Sequence, residues 1–387
     1  MIPNPGSLSQ PRIAGSTEKT RDEAGLYVHI PFCLTRCGYC DFNAHAGLDE
    51  LKSPYVEALR READATAGEW TGARFASIFL GGGTPTTLPA SAIERLLDHL
   101  RDRFDVDTEA EVACEANPDT VDQRSLTELR AAGVNRLSLG VQSFNAATLT
   151  ALERIHSADS ARRAYADARA AGFDDVNLDL IYGADGETLD AWRRTLEEAV
   201  ALGPEHLACY ALTIEPGTPL GAKVAAGMVP APDPDLQAAM FEHTCERLAE
   251  AGYRHYEVSN WSRPGHESLH NLGYWEGRPY LGLGAGAHSY RDRRRWWNVR
   301  PPARYIELAA TGQSPVGGEE LLTEEEVRLE RVLLGIRSAD GLPSEEVPAE
   351  AARMLVGRGL ATIERDRFAL TERGMLLANE AVLALSP

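Results

Sequence analysis

Leu26-Tyr27-Val28-His29-Ile30-Pro31-Phe32-Cys33-Leu34-Thr35-Arg36-Cys37-Gly38-Tyr39-Cys40-Asp41-Phe42 is the stretch that decides the fold. An apolar, strand-like run, Leu26–Ile30, leads almost directly into Cys33, Cys37 and Cys40, with three and then two residues between the cysteines. Soft thiolates grouped this tightly favour zinc or an iron–sulfur cluster. Both normally take four protein ligands. Here Asp41 and Phe42 follow Cys40, and the next cysteine is Cys114. Three cysteines leave one coordination position free, and a free position suits a reactive site more than a structural one. A Cys3His zinc set completed by His45 is the competing reading that spacing alone allows. A disulfide framework belongs to small secreted domains, not to a chain of 387 residues with six cysteines.

Working outward, apolar runs alternate with amphipathic stretches from Gly25 to about Glu215. Strands are expected at Leu26–Ile30, Phe75–Leu80, Glu111–Ala116, Arg136–Gln142, Asp175–Gly183 and His206–Glu215. Several are nearly continuous apolar runs, as strands buried on both faces should be. Helical periodicity falls between them at Ser53–Ala67, Ser91–Arg103, Asp122–Ala132, Ser160–Ala171 and Leu189–Leu202, with Asp122 and Ser160 as expected N-caps. Six strand–helix repeats predict an α/β protein with a partial (β/α)6 barrel built by right-handed crossovers.

Barrel sites sit where the C-terminal strand ends meet. The unusual residues of this chain fall at those ends. Cys33 follows strand one, Gly81-Gly82-Gly83-Thr84-Pro85 follows strand two, and Glu115 ends strand three. Gln142 ends strand four, Asp179 lies in strand five, and Thr213 lies near the end of strand six. Carboxylates and an amide inside apolar runs need partners, and a polar ligand at the rim supplies them.

The remaining segments read differently. Residues 1–24 are polar and rich in Pro, Ser and Gly, which predicts a disordered leader rather than a signal peptide. No run approaches the roughly 18 apolar residues of a membrane helix, so a cytoplasmic protein is expected, where thiols stay reduced. A net charge of −19 argues against general nucleic-acid or anionic-lipid binding. Residues 25–215 form the expected barrel, and 216–320 an α+β extension rich in Gly, Pro and Trp. That extension holds Arg291-Asp-Arg-Arg-Arg-Trp-Trp-Asn-Val-Arg300, either a solvated turn or a basic aromatic rim for an anionic planar ligand. Residues 321–387 suggest three helices, a strand–turn–strand wing and a last helix, a winged-helix-like module. Its acidic excess points to packing or partner docking rather than DNA.

The cysteine spacing with Tyr39 before Cys40 resembles the motif of the radical S-adenosylmethionine (SAM) enzymes. Tyr-Val-His-Ile-Pro-Phe-Cys at 27–33, Gly-Gly-Gly-Thr-Pro-Thr at 81–86 and Leu-Gly-Val-Gln-Ser-Phe at 139–144 resemble one branch of them. Asn-Leu-Asp-Leu-Ile-Tyr-Gly at 177–183 and Gly-Leu-Gly-Ala-Gly-Ala-His-Ser-Tyr at 282–290 do the same. That branch contains oxygen-independent coproporphyrinogen III oxidase and a group of heme chaperones. The resemblance implies that Cys33, Cys37 and Cys40 hold a [4Fe–4S] cluster whose fourth iron is chelated by SAM. Electron transfer from the reduced cluster then cleaves SAM to a 5′-deoxyadenosyl radical. It also implies SAM contacts from Tyr27, Tyr39, Gly82, Gly83, Thr84, Glu115, Gln142, Arg154 and Asp179. Glycines allow close backbone approach, and an arginine fork suits a carboxylate.

Two marks separate the members of the branch. The oxidase carries a further cysteine two residues after the third, where this chain has Phe42. His270-Asn271-Leu272-Gly273-Tyr274-Trp275 resembles the His-Asn-x-x-Tyr-Trp motif of the heme chaperones. Histidine is a good axial ligand for heme iron, so His270 is the expected heme ligand, with His255, His266 and His288 as competitors. The resemblance therefore implies heme binding and delivery to acceptor proteins. It also implies a flavodoxin- or ferredoxin-type electron donor, and a homodimer is a compatible assembly. The alternative is coproporphyrinogen III oxidation, and SAM cleavage is compatible with either.

Overall fold

All six expected strands form, with shifted ends. In the computed structural model, which describes residues 23–385, they are β1 Glu23–Ile30, β2 Arg74–Gly82, β3 Asp105–Ala116, β4 Arg136–Gln142, β5 Val176–Tyr182 and β6 His206–Ala211. The leader expected over 1–24 lies outside the described residues except for its last two. β1 to β6 pair in sequence order, every pair parallel. The crossovers carry α1 Lys52–Thr66, α2 Ala90–Arg103, α3 Gln123–Ala131, a short α4 Ala146–Ala151, α5 Ala158–Ala170 and α6 Leu189–Leu202. Each long crossover helix turns an apolar stripe onto the sheet. In α2 the buried positions Ile93, Leu96, Leu97 and Leu100 follow the 3.6-residue period. Burying each such side chain contributes about 1.5–3 kcal/mol.

Caps set the helix starts. Asp122 caps α3 as expected, its side chain accepting the Ser125 N–H. For α5 the cap is Ser157 rather than Ser160. Ser160 sits at the third helical position, donates its N–H to Ser157 Oγ at 3.1 Å, and returns a side-chain bond in a capping box.

The segment after the barrel extends the same sheet at both edges. α7 Pro219–Ala225 and α8 Pro234–Glu250 lead to β7 Arg254–Glu257 and β8 Asn260–Ser262, which add antiparallel beside β6. Then α9 Leu269–Trp275 precedes β9 Tyr280–Leu283, β10 His288–Arg291, β11 Arg294–Asn298, α10 Pro302–Ala310 and β12 Val316–Leu321. β9 pairs parallel with β1, a seventh parallel strand, and β10 to β12 follow antiparallel. The order is β12-β11-β10-β9-β1-β2-β3-β4-β5-β6-β8-β7, twelve strands with two edges: an open, partial barrel.

The C-terminal module comprises α11 Glu324–Gly335, β13 Leu342–Pro343, α12 Ala349–Gly357, the wing strands β14 Ala361–Glu364 and β15 Arg367–Leu370, α13 Glu372–Leu376 and α14 Ala378–Leu385. Where a middle helix was expected, Pro343, which lacks an N–H, ends a two-residue strand on β15. Buried residues of barrel and module, from Leu26 to Phe368, belong to one apolar core. Among the described residues no helix is long and apolar enough to cross a membrane.

Candidate cluster and cofactor site

Parallel pairing brings the C-terminal strand ends to one rim, and hydrogen bonds knit them together. Beyond β1 the chain runs on as Phe32–Cys33, and the glycine loop locks to it: Gly83 N–H donates to Ile30 O (2.9 Å) and Thr84 N–H to Phe32 O (2.8 Å). Thr84 Oγ1 donates to Cys33 Sγ at 3.5 Å and accepts from Asn117 Nδ2 at 2.8 Å. Asn117 Oδ1 accepts from Arg154 Nη2 at 2.6 Å, and Arg154 Nη1 donates to Cys37 Sγ at 3.2 Å. Two of the three thiols are thus joined through Thr84, Asn117 and Arg154. Cys40 closes a turn on Cys37, its N–H donating to the Cys37 carbonyl at 3.1 Å.

All three cysteines are free and half-buried. Burial pushes the Cys33 and Cys40 thiols up, against hydrogen bonds from Thr84 and from the Phe42 backbone. A bound metal would overcome that by displacing the protons. Among the described residues the one His, Cys and carboxylate group with all donor atoms within 4.8 Å is Cys245, His255 and Glu372. Cys33, Cys37, Cys40 and His45 do not gather that closely, as ligands of a single tetrahedral zinc would. A wider thiolate set fits a multi-iron cluster.

The rim beside the cysteines fits a ligand. Gly82 has φ +106°, and a Cβ there would lie 2.3 Å from the His29 ring; at Gly83 it would lie 2.8 Å from the Ile30 and Phe32 carbonyl oxygens. Only glycine permits this fold of the loop. Gln142 is held at φ 65°, a conformation that costs a non-glycine residue energy and collects at functional sites. Its Oε1, like Arg154 Nε, is buried without a hydrogen-bond partner among the described residues. Groups left this way cost stability unless a ligand satisfies them.

Glu115 Oε2 accepts the Gly82 N–H at 3.0 Å. Burial and then Asp179 push its carboxyl up to about 8, opposed by that bond. Burial also raises Asp179, opposed by Ser138 Oγ (2.8 Å) and Asn177 Nδ2 (2.8 Å) donating to its two oxygens. A cation or ribose hydroxyl at this pair would relieve the cost of two facing carboxylates. Tyr27 donates or accepts at His29 Nδ1 (2.9 Å), its hydroxyl raised by burial and then by Glu115. Tyr39 packs on Leu152, Ile181, Ala184 and Leu212, a small apolar cluster beside the cysteine loop. Thr213 is exposed beyond the end of β6, its hydroxyl turned to the Ala211 carbonyl at 3.4 Å.

His270 lies deeper. Its Nδ1 meets Ser77 Oγ at 2.9 Å, its Nε2 meets the Tyr274 hydroxyl at 3.0 Å, and its ring stacks on Phe79 at 5.2 Å. Burial lowers it to about 3, so the ring is neutral. Ser268 caps α9, its hydroxyl accepting the Asn271 N–H at 3.3 Å, and Glu111 accepts from Ser268 Oγ and the Leu269 and His270 N–H groups at 3.0–3.1 Å. Asn271 continues a relay through Tyr256 and His206 to Asn177, and so to Asp179. The His270 motif therefore plugs the lower half of the barrel and props the rim from below.

Above it opens a cavity of about 540 Å3, lined by Tyr27, Gly82 and Glu115 on the cofactor side and by Tyr274, Tyr280, His288, Trp297 and Arg300 on the other. Phe42, 66% exposed, stands at its lip. The arginine-rich segment divides between its two readings. Arg294 and Arg295 pair with Glu319, Glu320 and Glu330 at the surface, whereas Trp297 and Arg300 face the cavity. Burial, then Arg295 and Arg300, lowers His288.

Asn117, Ser138 and Tyr280 escaped the sequence reading as site residues. For Asn117 and Ser138 the signal was only that polar residues recur near strand ends.

An open parallel barrel with a three-cysteine loop at its rim defines a radical SAM protein, and the Radical SAM superfamily profile matches residues 27–199. The heme chaperone HemW of Mycobacterium tuberculosis is 43% identical over 367 residues, covering 93% of this chain and 94% of that protein. The Bacillus subtilis heme chaperone HemW is 34% identical over 92% of this chain and 97% of its own length. The chain belongs to the HemW heme chaperone family. Among solved structures, the coproporphyrinogen III oxidase HemN of Escherichia coli, a radical SAM enzyme, superposes with a TM-score of 0.80 at 25% identity, over 95% of this chain and 91% of that one.

Proposed function

We propose that the chain binds heme in the aromatic cavity and passes it to acceptor proteins, with a [4Fe–4S] cluster and SAM at the adjoining rim. Cys33, Cys37 and Cys40 hold the cluster; Tyr27, Gly82, Gly83, Thr84, Glu115, Gln142, Arg154 and Asp179 surround SAM, with Tyr39 bracing the cysteine loop. His270 serves the cavity from behind, through Tyr274. When bound, the cluster and SAM supply one-electron chemistry, fed by a small electron-transfer protein. The setting is the cytoplasm, where thiols stay reduced. A homodimer is compatible with this reading. One observation carries it: a cavity of about 540 Å3, aromatic and histidine-bearing on one side, shares Tyr27, Gly82 and Glu115 with the cofactor rim.

The superposition on HemN favours a second reading, oxidation of coproporphyrinogen III. Phe42, in place of the oxidase's extra cysteine, weighs against it. A heme titration and a coproporphyrinogen assay with reductant and SAM, on the same anaerobically reconstituted sample, decide between them. Stoichiometric heme uptake without protoporphyrinogen is expected; clear product formation would overturn the chaperone reading.

A further inference from the structure

A heme-binding cavity needs a ligand for the iron, and the histidines around this one are not equivalent. His270 has both ring nitrogens hydrogen-bonded and is 4% exposed. His29 has both engaged as well, Nδ1 with Tyr27 and Nε2 with the Asn43 carbonyl at 2.9 Å. His266 binds Asp175 through Nδ1 at 3.1 Å, and His255 lies face to face with Trp261 at 4.2 Å; neither lines the cavity. Recruiting His270 or His29 would strand a buried hydroxyl or carbonyl, at about 1–3 kcal/mol for each.

His288 differs in each respect. It opens β10, is exposed, lines the cavity, and makes no side-chain hydrogen bond among the described residues. Its position is fixed instead by packing. His288 pairs across the strands with Trp297, and the two rings stack at 5.7 Å and 27°. Tyr274 and Tyr280 meet edge to face beside it, 4.8 Å between centroids. That wall offers the flat aromatic surface that a macrocycle packs against. The cavity volume falls in the ordinary range of about 300–1,000 Å3 for organic ligands. Arg300, exposed on the same wall, has no carboxylate partner among the described residues and is available to an anionic substituent.

Resting on the heme-binding reading, the geometry points to His288 as the iron ligand, with Trp297 stacked on the ligating ring, Tyr280 against the macrocycle and Arg300 on a propionate. His270 is then a positioning residue that holds Tyr274 in the wall. This wall would supply the iron with one protein ligand.

The test compares full-length wild type, His288→Ala and His270→Gln, each with its cluster reconstituted, in titrations with hemin and with metal-free protoporphyrin IX. The readout is the Soret band and the electron paramagnetic resonance of the ferric iron. For His288→Ala, hemin affinity falls by about tenfold or more, the histidine-ligated spectrum is lost, and added imidazole restores it. Protoporphyrin IX binds wild type and His288→Ala alike, and the cluster absorbance of His288→Ala is unchanged. His270→Gln keeps the ligated spectrum. A His288→Ala spectrum identical to wild type overturns the assignment, as does loss of ligation in His270→Gln alone. Failure of the wild type to take up hemin overturns the heme-binding reading along with it.

Discussion

The strand ends that carry the cysteine loop and the hairpin of β10 and β11 meet across one cavity, but they are built by different means. On the cofactor side main chain dominates: the glycine loop is laddered to Ile30 and Phe32, Gly82 sits where a Cβ would strike His29, and Gln142 is held at positive φ. On the hairpin side aromatic side chains dominate, stacked or set edge to face on one another. The first construction tolerates little change in residue type. The second tolerates more, because packed aromatic surface depends on area and shape. One side is suited to a ligand of fixed chemistry, the other to a large planar guest.

That contrast is open to attack. The largest effect is expected from Cys37→Ala, which should abolish cluster absorbance while the hemin titration stays as in wild type. If heme uptake falls in parallel, the two sides are not separable. Next comes Gly82→Ala. With φ +106° and a contact of 2.3 Å to the His29 ring, strain of about 1–3 kcal/mol should appear as a lower melting temperature. Calorimetry should show SAM binding lost in the same variant. A melting temperature equal to wild type would show that the loop adapts.

The third prediction concerns acid. The folded His270 titrates near 3, against an ordinary value of 6.5. Its folded pKa is depressed, so the neutral ring's contribution is fully present above about 6.5 and declines as pH falls toward 3. The slope is at most about 1.4 kcal/mol per pH unit from this group. Denaturant melts of His270→Gln should therefore lose less stability between pH 6 and pH 4 than wild type does; equal slopes would assign the acid sensitivity to other groups. The smallest effect is expected from Ser157→Ala. Loss of the α5 cap should cost about 1 kcal/mol and leave both binding titrations untouched, which makes it the control for stability without site damage.

The cofactor side was legible because it violates local expectation. Glu115, Gln142 and Asp179 interrupt apolar strands, and three cysteines stand in a row, so each stands out against its neighbours. The hairpin side offered no such contrast: Trp297 and Arg300 share a run with surface arginines, and only the fold separates those paired to Glu319, Glu320 and Glu330 from those facing inward. β9 was missed because it is four residues long, with Gly282 inside it and no periodicity to display. The engagement of His270 with Ser77, 193 positions away in sequence, is a tertiary fact that no local pattern encodes. Ser157 and Ser160 were confused for a smaller reason: both are good cap formers, and only the path of the chain says which one starts the helix.

β9 is bonded to β1 along Gly25 to Val28, so the aromatic wall and the cofactor rim are neighbouring strands of one ladder rather than two bodies joined by a linker. Such a vessel has no jaws. Its contents enter and leave past whatever stands at the mouth, and here that is Phe42, 66% exposed to water. Exposed side chains reorient in picoseconds to nanoseconds, whereas hinged domains take microseconds to milliseconds. On the proposed reading, heme traffic through this opening would be paced by the dissociation of the heme itself, and handing it on would be a matter of a partner's grip rather than of a door.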